Sequence, residues 1–573
     1  MGRTSPDTAN VFIFYGGTFM KKVIINAEST GRLRRIFAKG TPEKGKILGP
    51  ALVTLGIGAV LWYFLLPAIN LKSPGFWAFV MFLMIVYFFT KVLWNTIKRT
   101  EFTIRRISMI FACTLLAFLL AVVEGSRLFQ AKRYSRILTV TEDTADLIPS
   151  VTGSSSIALM DTSSAERLGD RRIGSLSQVV SQFNVGDYMQ INWQDAPYKI
   201  APLDYDGFFK WTSNHKKGTP GYVIVDPVDM SAEYVALNEG LRYVSSAYFQ
   251  EDLYRHIRFA YPGVMFGNVH FEIDEEGKPW YVASIYDHSV GLFGGTTVTG
   301  ALIIDPVSGK IEKYNTGEIP VWVDVVFEGD LICTQYNDYA QLRHGFWNSV
   351  FSQTDCRQVT SMETEDEDGD SHSYPDYGYI AKDGDVWIYT GITSLNGDSS
   401  NIGFILANER TSETRFIPCA GADEFSGMKS AEGEVQEKGY VASFPSLINV
   451  EGTPTYIMVL KDANGLVKMY AAVNVEQYNL VATASTQAEC IEKYRTLLHI
   501  ESGTETDTSG YETRTVTIQK IQTIDIDGNT WIYIADTDSH IYKALYTDVI
   551  DMILHEAGDT ITIQTDGTYF LLK

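Results

Sequence analysis

The sequence predicts a membrane-anchored α+β protein in which three transmembrane helices precede antiparallel-sheet domains with covering helices and a small C-terminal β-barrel. Three observations predict this class. Three long apolar stretches lie close together near the amino terminus. Short apolar runs separated by Gly and Pro turns fill the rest of the chain, and the net charge changes sign between the two parts. The length of 573 residues is enough for several domains with large cores.

The charge asymmetry divides the chain into a basic head and an acidic body. Residues 1–140 carry 19 Lys and Arg against 5 Asp and Glu, a net charge of +14. The remainder carries 28 against 64, a net charge of −36. Halves of opposite charge are typical of a protein whose parts face different surroundings. Because an acidic surface repels phosphates, the sequence predicts no nucleic-acid partner.

The apolar stretches predict three transmembrane helices, at 47–69, 76–94 and 107–123. At about 1.5 Å per residue, the first is long enough to cross roughly 30 Å of hydrocarbon. Trp62, Trp77 and Trp94 lie near the ends of the stretches, where amphipathic rings favour the membrane interface. A signal peptide would be single and shorter. We therefore expect a multi-pass protein of the cell membrane, with the lipid bilayer as its first partner.

The flanking basic residues predict the orientation. Segments on the amino-terminal side of the membrane carry 11 Lys and Arg, and segments on the other side carry 5. We therefore expect a basic cytoplasmic tail at 1–46 and an extracytoplasmic region after about residue 124. Met20 is followed by two lysines and preceded by a Gly-Gly pair whose codons can form a ribosome-binding sequence. On this interpretation, residues 1–19 are not translated.

Turn spacing divides the outer region into segments. A polar juxtamembrane connector occupies 124–156, and an α/β region occupies 157–237, with a helix whose Ser163 and Glu166 have capping-box spacing. Two similar units follow at 238–340 and 341–480, each predicted as a helix covering antiparallel strands. The second contains an acidic insertion loop at 362–376, and a final all-β segment occupies 486–573.

The two similar units carry a resemblance to PepSY domains. The stretch "IIDPVSGKI" contains its main features, a strand ending at Ile304, an Asp305–Pro306 turn, and Gly309 before the next strand. A fainter copy lies at about 403–473. The resemblance implies extracytoplasmic modules with inhibitory or chaperone-like binding roles. The whole layout also resembles large membrane-anchored proteins of Gram-positive, Firmicutes-type bacteria. The long insert "HSVGLFGGTTVTG" departs from the PepSY pattern.

The last segment resembles an OB-type barrel. Three strands, a short helix and two further strands are predicted in that order. Such barrels often bind single-stranded nucleic acid through basic grooves. Because this segment is acidic, we expect a structural or protein-docking barrel instead.

Metal and cofactor motifs are missing from the sequence. The five cysteines form no CxxC pair, so zinc is disfavoured, and either free thiols or a Cys333–Cys356 disulfide remain open. The acidic run places Asp366, Asp368 and Asp370 at alternate positions, but an EF-type loop would need Glu where Tyr377 stands. We expect a solvated loop there, and no cofactor.

Two aromatic-rich stretches offer a candidate binding cleft. The first contains Lys210, Trp211 and Asn214, and the second contains His344 and Asn348. A packed strand-turn with a snorkelling lysine is the competing interpretation of the first stretch, and core or interface aromatics that of the second. No HExxH, GxSxG or phosphate-loop pattern occurs.

Taken together, these patterns favour binding, scaffolding or regulation in the cell envelope, with an envelope protein or peptide as partner and a homo-oligomer as an option. The alternative is an envelope hydrolase whose site is assembled from distant residues. A nucleophile and a base within hydrogen-bond reach would favour that alternative.

Overall fold

The protein divides into two compact units. They are Met1–Cys490 and Ile491–Lys573. The structure, a computed structural model, describes residues 45–97, 105–150, 159, 161–177, 179–365, 371–396, 400–502, 511–526, 529–546 and 549–572. Residues 1–44 of the predicted tail at 1–46 lie outside the described residues, as do Asp366, Asp368 and Asp370.

Three helices in the first unit are long and apolar enough to span a membrane, as predicted. They are α1 (Gly45–Leu65), α2 (Pro74–Ile97) and α3 (Arg105–Glu124). The first ends earlier than the predicted residue 69. Leu66 takes a left-handed φ of 50°, and Pro67 has no backbone N–H to continue the helix. Large apolar side chains along all three helices are exposed, which suits contact with lipid.

A short helix connects the membrane helices to the outer region. This helix is α4 (Arg127–Tyr134), and it does not continue α3, because the backbone of Ser126 between them is extended. The hydroxyl of Tyr134 donates back to the carbonyl of Gly125 at 2.7 Å. Arg127 pairs with Asp338 at 2.5 Å, which ties the end of α3 to the outer region.

The first outer sheet has the order β2-β4-β5-β6, and β3 also pairs with β4. Its strands are β2 (Phe183–Val185), β3 (Met189–Trp193), β4 (Ala196–Tyr205), β5 (Thr219–Asp226) and β6 (Ser231–Leu241). Two helices accompany it, α5 (Thr162–Gly174) and α6 (Phe208–Asn214). The N-cap of α5 is Asp161, whose side chain accepts from Ser164 N at 3.0 Å. The predicted capping box at Ser163 is therefore wrong by two positions, because the carboxylate of Asp161 reaches the free amide first.

The second sheet is a four-stranded antiparallel meander, β10-β9-β8-β7, and follows the helix α7 (Leu253–Ala260). Its strands are β7 (Met265–Ile273), β8 (Pro279–Val290), β9 (Gly294–Ile304) and β10 (Ile311–Asn315). One face packs with the first sheet into a common core that includes Val223, Phe271 and Leu302. The β9–β10 turn is the predicted one. Asp305 Oδ1 accepts from Val307 N at 2.9 Å, and Gly309 has a φ of 75°.

The third sheet has the order β1-β17-β16-β15-β11, with β14 also paired to β15. Its strands are β1 (Val140–Glu142), β11 (Arg357–Val359), β14 (Gly378–Lys382), β15 (Asp385–Ser394), β16 (Ser400–Asn408) and β17 (Thr414–Ala422). The helix α8 (Gly329–Leu342) packs on one face, where Ile332 and Tyr336 contact Ile388 and Ile405. Two further strands, β12 (Ser361–Glu365) and β13 (Ser371–Pro375), form a separate hairpin in the predicted acidic insertion.

The fourth sheet, β18-β20-β21-β22 with β19 on β20, shares a core with the other face of the third sheet. It comprises β18 (Val441–Ala442), β19 (Ser446–Val450), β20 (Thr453–Lys461), β21 (Val467–Asn474) and β22 (Val481–Ala484), preceded by α9 (Glu424–Glu434). The segment predicted as one unit, 341–480, thus contributes to two sheets. The helix α10 (Gln487–Ser502) follows.

The second unit contains a sheet of order β25-β24-β23-β26-β27. Its strands are β23 (Glu512–Ile526), β24 (Asn529–Asp536), β25 (Ile541–Leu545), β26 (Thr560–Thr565) and β27 (Phe570–Leu572). The two outer strands approach each other through a parallel bridge between Lys543 and Tyr569. The predicted short helix is a 3₁₀ segment, Ile550–Leu554.

Candidate functional site

The first predicted cleft residues lie on the short helix α6. Trp211 is buried, and its Nε1 donates to Glu251 Oε2 at 3.1 Å. Its ring packs against Phe208 and Tyr248. Asn214 closes the helix by donating to Lys210 O at 2.9 Å, and it also lines a shallow surface groove of about 740 Å³. Trp211 therefore acts as a packed anchor of α6, and Lys210 is half-buried beside it.

The second pair of predicted residues lies beyond the end of α8. His344 is exposed, with its Nε2 3.3 Å from Asp355 Oδ2. Asn348 holds the following loop by donating to Thr354 O at 2.9 Å and to Cys356 Sγ at 3.2 Å. Among the contacts of the described residues, none joins His344 or Asn348 to the α6 group. The five residues thus lie in two separate groups.

A different cavity lies where the first three outer sheets meet. Its volume is about 130 Å³, room for about four water molecules. Polar side chains come from all three sheets and from the start of α8: Thr162, Tyr188, Gln190, Lys199, Asn268, His270, Glu328, Asp330, Tyr377, Tyr379 and Glu409. They lie on strands, in turns and at the starts of two helices, so groups far apart in sequence converge on one space.

A second compartment of about 330 Å³ adjoins this cavity. The two share Thr162, Gln190, Lys199, Tyr377 and Tyr379. We call the two compartments together the Lys199 cleft. The outer compartment is bordered by the beginning of α5 and by a turn that contains Phe444 and Pro445.

Lys199 lies at the centre of the cleft on β4 and is only 4% exposed. Its Nζ lies 3.3 Å from Thr162 Oγ1 and 5.6 Å from the centre of the Tyr379 ring. Within the described part of the chain, no carboxylate oxygen lies within 4.0 Å of this ammonium group. Because burial removes water from the charged form, the pKa of Lys199 is lowered to about 8.

The nearest acidic side chain is already engaged elsewhere. Asp161 forms an ion pair with Lys461 and accepts from the amide of Ser164. Burial tends to raise the pKa of Asp161, but its hydrogen bonds to Lys461 and Ser164 outweigh burial and hold it below its usual value. Lys199 is therefore a buried cation whose charge no neighbouring anion matches closely.

The opposite wall of the inner cavity is acidic. Glu409 is 2% exposed, and a hydrogen bond from the backbone N–H of Gly329 reaches its carboxyl group. Its Oε2 has no hydrogen-bond partner within the described structure. Burial raises the pKa of Glu409 to about 8. Tyr188 also lines the cavity, and its hydroxyl, which lies against Gly169 of α5, likewise has no partner in this part of the chain.

Another carboxyl group on this wall, that of Glu328, has more hydrogen-bond partners. Glu328 accepts from the hydroxyl of Tyr286 at 2.6 Å and from Asn268 Nδ2 at 2.9 Å, and His270 Nε2 lies 3.6 Å away. Burial alone would raise the pKa of Glu328, but the nearby His270 and these hydrogen bonds hold it below its ordinary value. Glu328 therefore remains ionised, while Glu409 and Tyr188 keep free hydrogen-bonding capacity.

Behind the cavity lies a pair of carboxyl groups, Glu272 and Asp324. Glu272 is fully buried and accepts from the backbone amides of Asp324 at 2.8 Å and Val325 at 3.1 Å. Asp324 accepts from Asn192 N at 2.7 Å. Burial raises the pKa of both groups, that of Glu272 to about 7. Through backbone amides, these carboxyl groups join the first sheet, the second sheet and the segment that leads into α8.

The sequence interpretation missed Lys199. The available signal was a single lysine inside the otherwise apolar run "YKIAPL", at the centre of a strand. Attention went to Lys210 because aromatic residues surround it in the sequence. Glu409 gave no local signal, since "NERTSE" reads as an ordinary polar turn.

The five cysteines are free thiols in the structure, and four of them are buried. Among the described residues, one group in the second unit has the proximity that a metal ion needs, namely Asp536, Asp538 and His540. Asp536 closes its own turn, accepting from the amides of Asp538 at 2.9 Å and His540 at 2.8 Å. These contacts account for the arrangement.

Comparisons with known proteins identify no family. No family model matches the chain, and no curated protein matches it in sequence. An exo-1,5-α-L-arabinanase from a bovine ruminal metagenomic library is 11% identical over 68% of this chain and 97% of that chain, with a TM-score of 0.14. A levansucrase variant from B. megaterium is 9% identical over 78% and 97%, with a TM-score of 0.18.

A third solved structure, an intramolecular trans-sialidase from Ruminococcus gnavus, is 9% identical over 68% of this chain and 69% of that chain, with a TM-score of 0.09. TM-scores this low do not indicate a common fold, so these likenesses carry no argument about function.

Proposed function

We propose that this protein is a membrane-anchored, extracytoplasmic binding protein of the cell envelope, with the Lys199 cleft as its ligand site. The observation that carries the proposal is the buried ammonium group of Lys199, which has no carboxylate within 4.0 Å among the described residues. Leaving a buried charge without a close partner costs several kcal/mol, roughly, unless a ligand meets it. The excess of basic residues on the amino-terminal side supports the outward orientation.

The charges of the cleft define a ligand class. Lys199 supplies a cation on one wall; on another wall Glu328 stays ionised and Glu409 offers a free carboxyl oxygen. A small ligand with a carboxylate and an ammonium group would meet both walls at once. Such charge-assisted hydrogen bonds are the strong ones in a buried site. We therefore propose a free amino acid, or the end of a short envelope peptide, as the ligand.

The sizes of the two compartments suit an amino acid or the end of a short peptide. The inner cavity of about 130 Å³ suits a backbone-sized group, and the outer compartment of about 330 Å³ offers room for a side chain or further residues. The outer wall includes apolar groups from Phe444 and Pro445. A concave site with a few polar groups and apolar surroundings is typical of small-ligand binding.

We also propose that two PepSY-like units and an OB-like barrel build the outer region. Two features support the repeated unit. A helix precedes an antiparallel sheet twice, at α7 and at α9, and the β9–β10 and β16–β17 turns are both closed by an Asx side chain, Asp305 and Asn408. Strand order and the parallel Lys543–Tyr569 bridge support the barrel.

A binding measurement on the full chain in lipid nanodiscs tests the proposed function. The probes are L-alanine, ethylamine, propionate and trialanine, followed by isothermal titration calorimetry. We expect L-alanine and trialanine to bind, and each single-charge probe to bind at least tenfold more weakly, since about 1.4 kcal/mol is lost with each charge-assisted contact. Failure of all four probes to bind would contradict the proposal.

Matched variants locate the binding. Lys199→Met should abolish L-alanine binding, whereas Lys210→Met, on the nearby half-buried α6 lysine, should leave it unchanged. If ethylamine binds as tightly as L-alanine, the ligand does not need both a carboxylate and an ammonium group, and the proposed ligand class is wrong. The cleft would still be a binding site.

A hydrolase is the second candidate, and one contact favours it. Thr162 Oγ1 lies 3.3 Å from Lys199 Nζ, and Thr162 is exposed at the opening of the cleft. With its pKa lowered to about 8, part of Lys199 is neutral near physiological pH and can accept a proton. The hydroxyl oxygen would attack an amide carbon, its proton would pass through Lys199 to the leaving amine, and water would cleave the resulting ester.

Product analysis separates this candidate from simple binding. Incubation of trialanine with the full chain should release alanine and dialanine, and Thr162→Val should stop the release while retaining binding. Intact trialanine after long incubation would exclude the hydrolase and leave the binding function standing.

A further inference from the structure

An exposed aromatic group follows the end of α8. Trp347 is 61% exposed, Val350 47% and Phe351 76%. The rings of Trp347 and Phe351 stack with centroids 5.6 Å apart and an angle of 13° between the planes. Three large apolar side chains on a short π-helical segment (Asn348–Ser352) and the residue before it are costly to leave in water. We call these three residues the aromatic knuckle.

The position of the knuckle follows from the β8–β9 hairpin. The tip of this hairpin touches the membrane helices, because the Phe293 ring lies 6.2 Å from Trp77 and 5.3 Å from Phe118. Gly125, the residue after α3, lies against Val290 and Gly294 of the same tip. The tip therefore marks the outer end of the membrane helices.

The helix α8 runs along this hairpin towards its tip. At the start of the helix, Glu328 accepts from Tyr286 at 2.6 Å. Near the middle, Gln335 donates to Thr296 O at 2.8 Å, and Thr296 pairs with His288, one step closer to the tip. At the end of the helix, Leu342 packs against Val290 at the tip itself.

The knuckle follows directly from this contact. Phe346 packs with the Leu342 and Val290 cluster, and its ring centroid is 5.5 Å from that of Trp347. The chain of contacts places the knuckle at the level where α3 ends. Trp and other aromatic side chains favour this membrane level, where their rings meet the boundary between head groups and acyl chains.

The neighbouring helix α4 extends this surface. Phe129 is 64% exposed and Leu128 39% exposed, next to the exposed basic residues Lys132, Arg133 and Arg136. Apolar and cationic side chains side by side are typical of protein surfaces that lie on a bilayer containing anionic lipid.

We infer that the aromatic knuckle inserts into the outer interface of the bilayer and forms an anchor separate from the three membrane helices. The inference does not depend on the proposed ligand site. The occupant is the lipid interface, because Phe346 joins the knuckle to the hairpin tip, and this tip touches the membrane helices.

Nitroxide labelling of the full chain in nanodiscs of phosphatidylcholine and phosphatidylglycerol tests the inference. The label is attached at Phe351→Cys in a Cys113→Ser background, since the other four cysteines are buried. Val441→Cys serves as the matched control, as Val441 is a 59% exposed aliphatic residue on the fourth sheet. We expect the label at 351 to be more accessible to oxygen than to a water-soluble nickel chelate, and the control to show the reverse.

Equal accessibility to the nickel chelate at both positions would overturn the inference. A second measurement uses the native side chain. Brominated lipids should quench less of the total tryptophan emission in Trp347→Phe than in the unaltered chain. A quenched fraction unchanged by this conservative substitution would also count against insertion.

Discussion

The Glu272–Asp324 pair and the Lys199 cleft are both buried polar groups of the first unit, and both involve the first and second sheets. The carboxylate of Glu272 accepts two backbone amides, and Asp324 accepts a third. In the cleft, Lys199 has one hydroxyl neighbour, and Glu409 Oε2 has no partner within the described structure. The Glu272–Asp324 pair uses its hydrogen bonds to join sheets, whereas the cleft keeps polar atoms that are free to bind a ligand. Burial by itself therefore does not distinguish a structural group from a functional one, but hydrogen-bond satisfaction does.

The largest effect is expected at the structural pair. Glu272→Leu leaves the amides of Asp324 and Val325 buried without an acceptor, at about 1–3 kcal/mol each. We expect the free energy of unfolding of the first unit to fall by about 3 kcal/mol, measured by pulse proteolysis of the full chain. Glu272→Gln keeps one acceptor oxygen and should lose less. If Glu272→Leu is as stable as the unaltered chain, the pair is not structural.

A smaller effect is expected where α5 borders the cleft. A methyl group at Gly169 would overlap the hydroxyl of Tyr188. Gly169→Ala should therefore cost about 1–3 kcal/mol of unfolding free energy and weaken L-alanine binding, because Tyr188 has to move. Gly174→Ala on the same helix meets no atom within 4 Å and should raise stability by up to about 1 kcal/mol. If the two variants have the same unfolding free energy and bind L-alanine equally well, Tyr188 is not closely packed against Gly169.

The pH dependence of stability sharpens the comparison. The raised pKa values of Glu272, about 7, and Glu409, about 8, mean that the folded protein holds these protons more tightly than the unfolded chain. Their stabilising effect is complete below the unfolded pKa and is lost as pH rises through the folded values. Thermal unfolding should accordingly occur at lower temperature at pH 8.5 than at pH 5.

Two single variants divide this pH effect between the regions. Glu409→Gln should remove the part of the decline that lies between about pH 7 and about pH 8. We expect this part to be worth about 1 kcal/mol, since water in the cavity reduces the effect of burial on this carboxyl group. Glu272→Gln should reduce the decline below about pH 7 without removing it, because Glu409 contributes to the decline over the same range. A profile that neither variant changes would show that other groups control it.

The smallest effect on stability is expected for Lys199→Met. A methionine of similar length replaces a buried, unmatched cation, so the free energy of unfolding should stay within about 1 kcal/mol of its original value or rise. Ligand binding should nevertheless be lost. A large loss of stability without loss of binding would reverse the roles that we assign to the two regions.

Much of the architecture could be predicted from local sequence. The three membrane helices follow from uninterrupted apolar runs, and the β9–β10 hairpin follows from Asp305 and Gly309. Local patterns also give the element order of the second unit. They determine which residues form helices, strands and turns, because these depend on neighbouring residues.

The cleft could not be predicted in this way. Lys199, Glu328 and Glu409 are separated by long stretches of chain and meet only because three sheets share one junction. No local pattern records which sheets meet. The aromatics near Lys210 gave a stronger local signal, yet Trp211 uses its ring for packing and its Nε1–H for Glu251. The sequence pattern does not show which sheets pack together, and therefore does not show which side chains contact each other in the cleft.

The helix α8 has a mechanical consequence. It begins at Gly329, whose amide holds Glu409 beside the cleft, and it ends at Leu342, against the hairpin tip that touches the membrane helices. Its 14 residues span about 21 Å as one rigid rod. Asp338, in the last two turns of the helix, forms an ion pair with Arg127 directly after α3. A displacement of Gly329 would therefore be transmitted along the helix to Leu342 and, through the Asp338–Arg127 ion pair, to the residues directly after α3.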